Sequence, residues 1–211
     1  MITQLARLVP LSGIAFVVTM IGVIALEGDE LPEGAAAQEV LDHWAARSDT
    51  RLVLTTLAAL AVLFLVVFVA CLRGALRARE HAEASASAVA FGGGLIAAGG
   101  LALSGMVGLS ASRAGGEGTL DAVVPLDHLA QSTWVPVTVG LAVMMLAAGV
   151  GGLLSGALPK AAAWPAVLLG LMLLTPAGVI GFLLSPLWII AVSVILFRRA
   201  RSYAYDPVPS T

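Results

Sequence analysis

The sequence is poor in charge and in cysteine. Asp, Glu, Lys and Arg together make up 11% of the 211 residues, and apolar residues make up 59%, whereas a soluble domain is about one quarter charged. The mean hydropathy is +1.00. These values exclude an ordinary water-soluble fold. The single cysteine, Cys71, excludes an internal disulfide, and we expect it to be a small buried hydrophobe.

Five long stretches lack charge altogether. A bilayer has a hydrocarbon core about 30 Å thick, which needs roughly 20 helical residues to cross. Five stretches without Asp, Glu, Lys, Arg or His come close to that length or exceed it: 8–26, 52–72, 88–109, 135–154 and 161–197. We therefore expect an all-α fold, a polytopic transmembrane helical bundle that forms a single domain over residues 1–201.

The last uncharged stretch is too long for one span. Its 37 residues would form a straight helix of about 55 Å. Pro176, Gly178 and Gly181 lie inside it, and such residues break or bend helices and suit tight turns. We predict two short spans here, 161–178 and 179–197, that form a tight hairpin and bring the total to six.

Charge bias gives an orientation, because Lys and Arg near the ends of spans are retained on the cytoplasmic side. With six spans and both termini cytoplasmic, eight of the eleven basic residues lie inside and ten of the thirteen acidic residues lie outside. Five spans would place the basic clusters 73–79 and 198–201 on opposite sides and remove the bias. We therefore predict six spans in the cytoplasmic membrane, with a disordered cytoplasmic tail at 202–211.

The two longest outer segments carry apolar pieces of their own. Between residues 35 and 47, Val40, Leu41 and Trp44 occur at helical spacing, which predicts a short helix on the outer face. In the second outer segment we expect Pro125 to interrupt an apolar piece. Residues 41–48 (LDHWAARS) and 126–133 (LDHLAQST) are identical at four of eight positions, which suggests an internal repeat, although eight residues are too few to establish one.

These two fragments supply the candidate outer polar cluster, which consists of Asp42, His43, Asp127 and His128. Two histidines and two aspartates are ligands that zinc accepts. However, adjacent side chains on a helix point about 100° apart, so that one helix presents the pair poorly. We interpret the four as solvated or interface residues, and we expect no metal site and no cofactor.

Small residues recur at four-residue spacing in the third and fourth predicted spans. In lipid, helices associate through close packing rather than through the exclusion of water, and small residues let two backbones approach. We expect these rows to pack against each other, with a neighbouring chain as the alternative. The helix-packing candidates are Gly100, Ser104, Gly108, Ser112, Ala148, Gly152 and Gly156.

Residues that carry intramembrane chemistry are missing from the predicted spans. Ion pumps place ionisable side chains at membrane depth, nucleophilic catalysis needs a base near the nucleophile, and haem ligation between spans needs histidines within them. The five uncharged stretches contain no charged residue and no histidine. We therefore expect that the chain is not an enzyme.

Several short features give the chain a family resemblance. The second predicted span ends in FVACLR at 68–73, the third begins with FGGG at 91–94, Leu158-Pro159 precede the last two spans, and LFRR at 196–199 ends them. This layout resembles a type of uncharacterised multi-pass integral membrane protein of high-GC bacteria. The resemblance covers most of the chain and implies no activity, ligand or site residue.

Two functions follow as expectations. The first is a non-enzymatic protein of the cell membrane with a structural role, in contact with the lipid bilayer and with a membrane-protein partner or a second copy of the chain, but not with nucleic acid. The alternative is a small transporter or channel for a neutral or weakly charged solute. A hydrated, polar-lined cavity between the spans would favour transport, and a dry bundle would exclude it.

Overall fold

The computed structural model describes residues 8–28, 31–32, 34–80 and 85–202. In these residues the chain consists of helices and turns, without a strand, so the predicted all-α class is confirmed. A 3-10 turn, Val9–Leu11, precedes the first α-helix. The α-helices are α1 (Ser12–Glu27), α2 (Ala37–Ala46), α3 (Ser48–Arg77), α4 (Ala86–Gly116), α5 (Leu120–Ser132), α6 (Trp134–Ser155), α7 (Lys160–Leu173) and α8 (Gly178–Ser202).

Five helical segments of the described chain are long and apolar enough to cross a membrane. This fits the multi-pass membrane protein that the sequence predicts. α5 and α6 follow each other closely enough to count as one segment of 36 residues. The five segments are Val9–Glu27, Thr50–Arg77, Ala86–Gly116, Leu120–Ser155 and Gly178–Ala200.

The six longest helices of the described chain pack in a ring. α1 packs against α3, α3 against α4, α4 against α6, α6 against α7, α7 against α8, and α8 returns to α1. The core inside this ring is apolar, with Leu65, Phe68, Met144, Met145 and Val192 fully buried. The two short helices α2 and α5 lie outside the ring and pack on α4.

The uncharged stretch 161–197 is divided between α7 and α8. α7 has 14 residues, about 21 Å of helix, and it ends at Leu173, before the predicted limit of 178. Pro176 explains the early end, since proline has no N–H to continue the ladder and disfavours helical backbone at the residue before it. Thr175 closes the turn: its Oγ1 donates to the Met172 carbonyl at 2.8 Å, and its own carbonyl accepts from the Gly178 N–H at 2.9 Å.

The closest approach of two helices is between α4 and α6. A methyl group added at Gly93 would lie 2.5 Å from the backbone nitrogen of Met144, and one added at Gly140 would overlap the backbone of Ala97. The two backbones are therefore in direct contact. This kind of contact holds helices together in lipid, where burial of apolar surface drives little association.

Arginines cover the carboxyl end of α6. The chain leaves α6 through Gly156, whose φ of +65° is a left-handed conformation that favours glycine. Arg79 Nη1 donates to the Gly156 carbonyl at 3.1 Å, and Arg199 Nη1 donates to the Ala157 carbonyl. Cations at this position complement the negative end of the helix dipole.

The predicted interruption at Pro125 is wrong, because Pro125 lies inside α5. The proline removes one hydrogen bond near the start of the helix, and the fully buried Val123 keeps the segment packed on its neighbours. The predicted tail at 202–211 lies outside the described residues, apart from Ser202 at the end of α8.

The contact between α4 and α6 gives a test with a matched control. We expect Gly93→Ala to lower the free energy of unfolding by about 1–3 kcal/mol, the usual cost of overpacking, because the new methyl group meets backbone that cannot rotate away. A methyl group added at Gly92 would have no atom of the described chain within 4 Å, beyond its own turn of helix. Gly92→Ala should therefore be neutral or stabilising by up to about 1 kcal/mol. Reversible unfolding in detergent micelles measures both, and equal effects would contradict the packing.

Candidate functional site

The helices α2 and α5 cover one end of the bundle, which we call the capped end. Here α1 and α4 finish and α3 and α6 begin. Gly115 of α4 lets α2 approach closely, since a methyl group there would lie 2.8 Å from the Ala45 backbone nitrogen. A small apolar core, separate from that of the bundle, holds the cap in place. It consists of Val40, Trp44, Ala111, Ala114 and Val123.

An open cleft of about 350 Å³ lies at the capped end. This volume is within the range of small-molecule sites, roughly 300–1,000 Å³. Residues of all six helices from α1 to α6 line it, and the mixture of charged, aromatic and polar side chains contrasts with the apolar bundle. The charged, aromatic and polar lining residues are Glu27, His43, Trp44, Arg47, Arg51, Ser104, Asp127, Gln131 and Trp134.

Arg51 is the most deeply buried charge in this cleft. Its side chain is 7% exposed although it belongs to the first turns of α3, and its guanidinium occupies the space that a methyl group at Gly108 would fill. The Arg51 Cζ lies 5.0 Å from the centroid of the Trp44 ring, a cation–π distance. The nearest carboxylate oxygen among the described residues is Glu27 Oε1, 3.8 Å from Arg51 Nη1, which is too far for a hydrogen bond.

The hydrogen bonding of Arg51 is incomplete. A guanidinium has five N–H donors in a fixed plane and accepts nothing. The Arg51 Nε is buried, and the described part of the chain offers it no acceptor. Most buried donors in proteins are paired, and an unpaired one costs about 1–3 kcal/mol. Arg51 thus has an N–H donor that its described neighbours leave unpaired.

Trp44 and Asp127 join the two cap helices. The Trp44 Nε1 donates to Asp127 Oδ1 at 2.9 Å, and the Gln131 Nε2 donates to Asp127 Oδ2, also at 2.9 Å. Both carboxylate oxygens therefore have a donor. This hydrogen bond connects α2 to α5 beside the cleft.

His43 lies beside this hydrogen bond, and its surroundings favour the neutral imidazole. Its ring packs edge-on against Trp44, with ring centroids 5.7 Å apart. Partial burial lowers the pKa of His43 below its usual value, and the positive charge of Arg47 lowers it further, against an opposing effect of Asp127. Arg47 itself is held by the backbone: its Nε donates to the Glu27 carbonyl at 3.0 Å.

The structure brings together only part of the predicted polar cluster. Asp127 and His43 both line the cleft. Asp42 is exposed and accepts a hydrogen bond from Gln38 at 3.1 Å, and the side chain of His128 is also exposed. Within the residues that the structure describes, no three His, Cys, Asp or Glu side chains form a group that could hold a metal ion. The partner that sequence reasoning missed for Asp127 is Trp44.

The four predicted packing residues of α4 differ in their surroundings. Gly100 lies against α6, where an added methyl group would be 2.9 Å from the Val137 backbone nitrogen, whereas Gly108 receives the Arg51 guanidinium. Ser104 lines the cleft. Ser112 is buried and its hydroxyl donates to the Gly108 carbonyl at 2.9 Å.

The predicted packing residues of α6 also differ from one another. Ala148 is fully buried. A methyl group at Gly152 would lie 2.9 Å from the Leu158 Cβ, in the link to α7, and Gly156 forms the turn that ends the helix. The closest backbone contact is formed instead by Gly93 and Gly140, which the four-residue rows do not include.

The charged residues of the cleft were also missed by sequence reasoning. Arg51 and Glu27 directly flank uncharged stretches, so each reads as the polar boundary of a span. The sequence nevertheless contained an indication of this burial. Gly108 belongs to a row of small residues near the outer end of the third predicted span, and such a row leaves room for a large side chain from a neighbouring helix.

No protein-family model, curated protein or solved structure gives a significant match to this chain. Its chemistry must therefore be inferred from the cleft. The cleft presents a buried guanidinium, a second arginine, two carboxylates and two indole rings. Groups of this kind bind and orient a polar molecule.

The bond between the cap helices can be tested by removing one donor. Trp44→Phe keeps an aromatic ring beside Arg51 but leaves Asp127 Oδ1 without its indole donor. We expect the free energy of unfolding in micelles to fall by about 1–3 kcal/mol. Trp134→Phe is the matched control, because Trp134 lines the same cleft and packs edge-on against Phe182. A loss no larger for Trp44→Phe than for the control would contradict the bond.

Proposed function

We propose that the chain is a non-enzymatic protein of the cytoplasmic membrane that binds a ligand or partner at its outer face. It crosses the membrane six times, with both termini cytoplasmic and the capped end outside. The observation that carries this proposal is the open cleft of about 350 Å³, built by residues from six helices.

The distribution of arginines supports the orientation. Arg77, Arg79, Arg198 and Arg199 lie at the ends of α3 and α8, opposite the capped end, and Lys160 begins α7 beside them. Basic residues concentrate on the cytoplasmic side of membrane proteins. The capped end, which carries most of the acidic residues, then faces outward.

The surroundings of the turn at 174–177 support a sixth span. The large apolar side chains next to it, Leu174, Val179, Ile180 and Leu183, are exposed, which suits contact with lipid. α7 is short for a span, but a bilayer can thin locally around a short helix at modest cost. α7 and α8 would then form the tight hairpin that closes the bundle.

Binding fits the cleft better than transport does. Two smaller cavities lie toward the bundle. One of about 30 Å³ adjoins the cleft, with Glu27, Arg51 and Trp134 in both linings, and one of about 50 Å³ lies beyond it among residues of the apolar core. The larger of these has almost entirely apolar walls, among them Phe16, Leu65 and Leu141. A polar solute in this cavity would lose its hydrogen bonds to water without replacement, which disfavours its passage.

The small-residue faces are poor candidates for a partner surface. Gly93, Gly100 and Gly140 are in contact with backbone of the chain itself, and Gly152 faces Leu158. A partner would have to displace the protein's own helices to reach them. The capped end, which is open, is the better place for an association.

We also propose that the cleft does not catalyse a reaction. Covalent catalysis needs a nucleophile hydrogen-bonded to a base. In the described residues, the polar groups of the cleft bond to one another in a different way: Asp127 accepts from Trp44 and Gln131, and Arg47 donates to backbone carbonyls. Such mutual support favours a rigid binding site, since pre-organised groups lose little freedom when a ligand binds.

One cross-linking experiment tests location and binding together. The native Cys71 is replaced by alanine, and a membrane-impermeant thiol reagent that carries a photo-crosslinker is applied to intact cells. We expect it to attach to Gln131→Cys in the cleft and to Ala177→Cys in the turn, both at exposed positions. On irradiation, Gln131→Cys should give an adduct of discrete mass, and Ala177→Cys should give bulk lipid or none.

The two positions separate the parts of the proposal. Attachment at 177 supports six spans, whereas protection there with attachment at 131 would return the count to five. If the reagent does not attach to Gln131→Cys but attaches to Ser210→Cys from outside the cell, the proposed orientation is wrong. Attachment at 131 with no discrete adduct, or with the same adduct as at 177, would contradict a binding function.

A further inference from the structure

We propose that the cleft binds a zwitterionic group, whose oxyanion is held by Arg51 and whose ammonium faces Glu27 and Asp127. The oxyanion is a carboxylate or a phosphate. This inference rests on the proposed binding function and names the class of ligand for that site.

The oxyanion position follows from Arg51. This guanidinium is buried, lines the cleft, and has an Nε without an acceptor in the described chain. The planar fork of an arginine matches the two oxygens of a carboxylate or phosphate, and such charge-assisted pairs are about twice as strong as neutral hydrogen bonds. Glu27 Oε1, 3.8 Å from Arg51 Nη1, is too far away to accept a hydrogen bond from it.

Gly108 and Trp44 hold the guanidinium in place for this role. Any larger residue than glycine at 108 would displace it. The Trp44 ring lies 5.0 Å away and is itself fixed by its bond to Asp127. A side chain as long as arginine loses much rotamer freedom when it is ordered, and here the protein has already ordered it before any ligand arrives.

The charge balance of the cleft favours a zwitterion over a simple anion. Arg47 and Arg51 oppose Glu27 and Asp127 among the lining residues, so their formal charges cancel. A ligand with charge of one sign would meet attraction and repulsion in similar measure, whereas a ligand with both signs can match both. The Trp134 ring, which also lines the cleft, offers an additional surface to an ammonium group.

Size limits where the ligand comes from. The cleft has room for a small molecule, but the cavity that adjoins it toward the bundle has only about 30 Å³. An acyl chain does not fit in that adjoining cavity. The zwitterion is therefore a free solute of amino-acid type, or the headgroup of a lipid whose chains stay in the bilayer.

Thermal unfolding of the purified full chain in detergent tests the ligand class. Phosphoethanolamine and glycine are the zwitterionic probes, and inorganic phosphate and ethanolamine are the single-charge controls. We expect at least one zwitterion to raise the melting temperature in a saturable way, with an apparent affinity at least about tenfold higher than either control. Arg51→Gln should abolish the rise, and Arg113→Gln, at an exposed arginine of α4, should keep it.

A second arm identifies a lipid source. If the soluble zwitterions have no effect, nanodiscs of phosphatidylethanolamine should stabilise the wild type more than nanodiscs of phosphatidylglycerol, and the difference should vanish in Arg51→Gln. If Arg51→Gln does not fold, Gln131→Trp replaces it. Gln131 is exposed at the cleft, so a large side chain there narrows the entrance, and the substitution also removes the donor to Asp127 Oδ2.

The outcomes that overturn the inference are distinct from those that overturn the binding function. Equal stabilisation by phosphate and by phosphoethanolamine would show that the ammonium group contributes nothing to binding. If no zwitterion or lipid raises the melting temperature in detergent or in nanodiscs, the cleft does not bind a zwitterion. The same conclusion follows if the rise is unchanged in Arg51→Gln and in Gln131→Trp. If the cross-linker at position 131 still captured a discrete adduct, the cleft would bind a ligand of another class.

Discussion

The capped end depends on the burial of one guanidinium. Arg51 of α3 lies against Gly108 of α4, under the Trp44 ring of α2 and within 3.8 Å of Glu27 at the end of α1. It thereby joins four helices, and Trp44 extends the connection to α5 through Asp127. Removing a charge from water is costly unless its donors are paired. Among the described residues, Arg51 has the Trp44 ring at 5.0 Å and a carboxylate oxygen at 3.8 Å, but its Nε has no acceptor.

Close backbone contact explains why the rest of the bundle can support this end. In lipid, helices gain little from hiding apolar surface, so their positions are set by packing. Gly93 and Gly140 bring α4 and α6 into backbone contact, and α4 is also the helix on which both cap helices rest. The same rigid helix therefore carries the centre of the bundle and the floor of the cleft. Below the cleft the core is apolar.

The sequence was enough for the class of fold and insufficient for the site. Long uncharged stretches predict apolar helices because the bilayer sets both their length and their composition, and the spacing of Val40 and Trp44 predicts α2. Which small residue meets a backbone, as Gly93 does, depends on how each helix is rotated about its axis, and a four-residue row does not determine that rotation. The burial of Arg51 could not be predicted, because a charge at the end of a span normally points to water. Only the glycine on the facing helix shows that it turns inward.

The burial of Arg51 can be measured directly by NMR of protein labelled with ¹⁵N at arginine, in detergent micelles. Side-chain Nε–H signals of exposed arginines exchange rapidly with water, whereas a buried Nε–H is protected. The structure requires a protected signal, besides that of the hydrogen-bonded Arg47 Nε–H, that is absent from Arg51→Lys and loses protection in Gly108→Ala. The proposed zwitterion should shift the same signal. A spectrum in which Arg51→Lys removes only a rapidly exchanging signal would contradict the buried guanidinium on which the cleft depends.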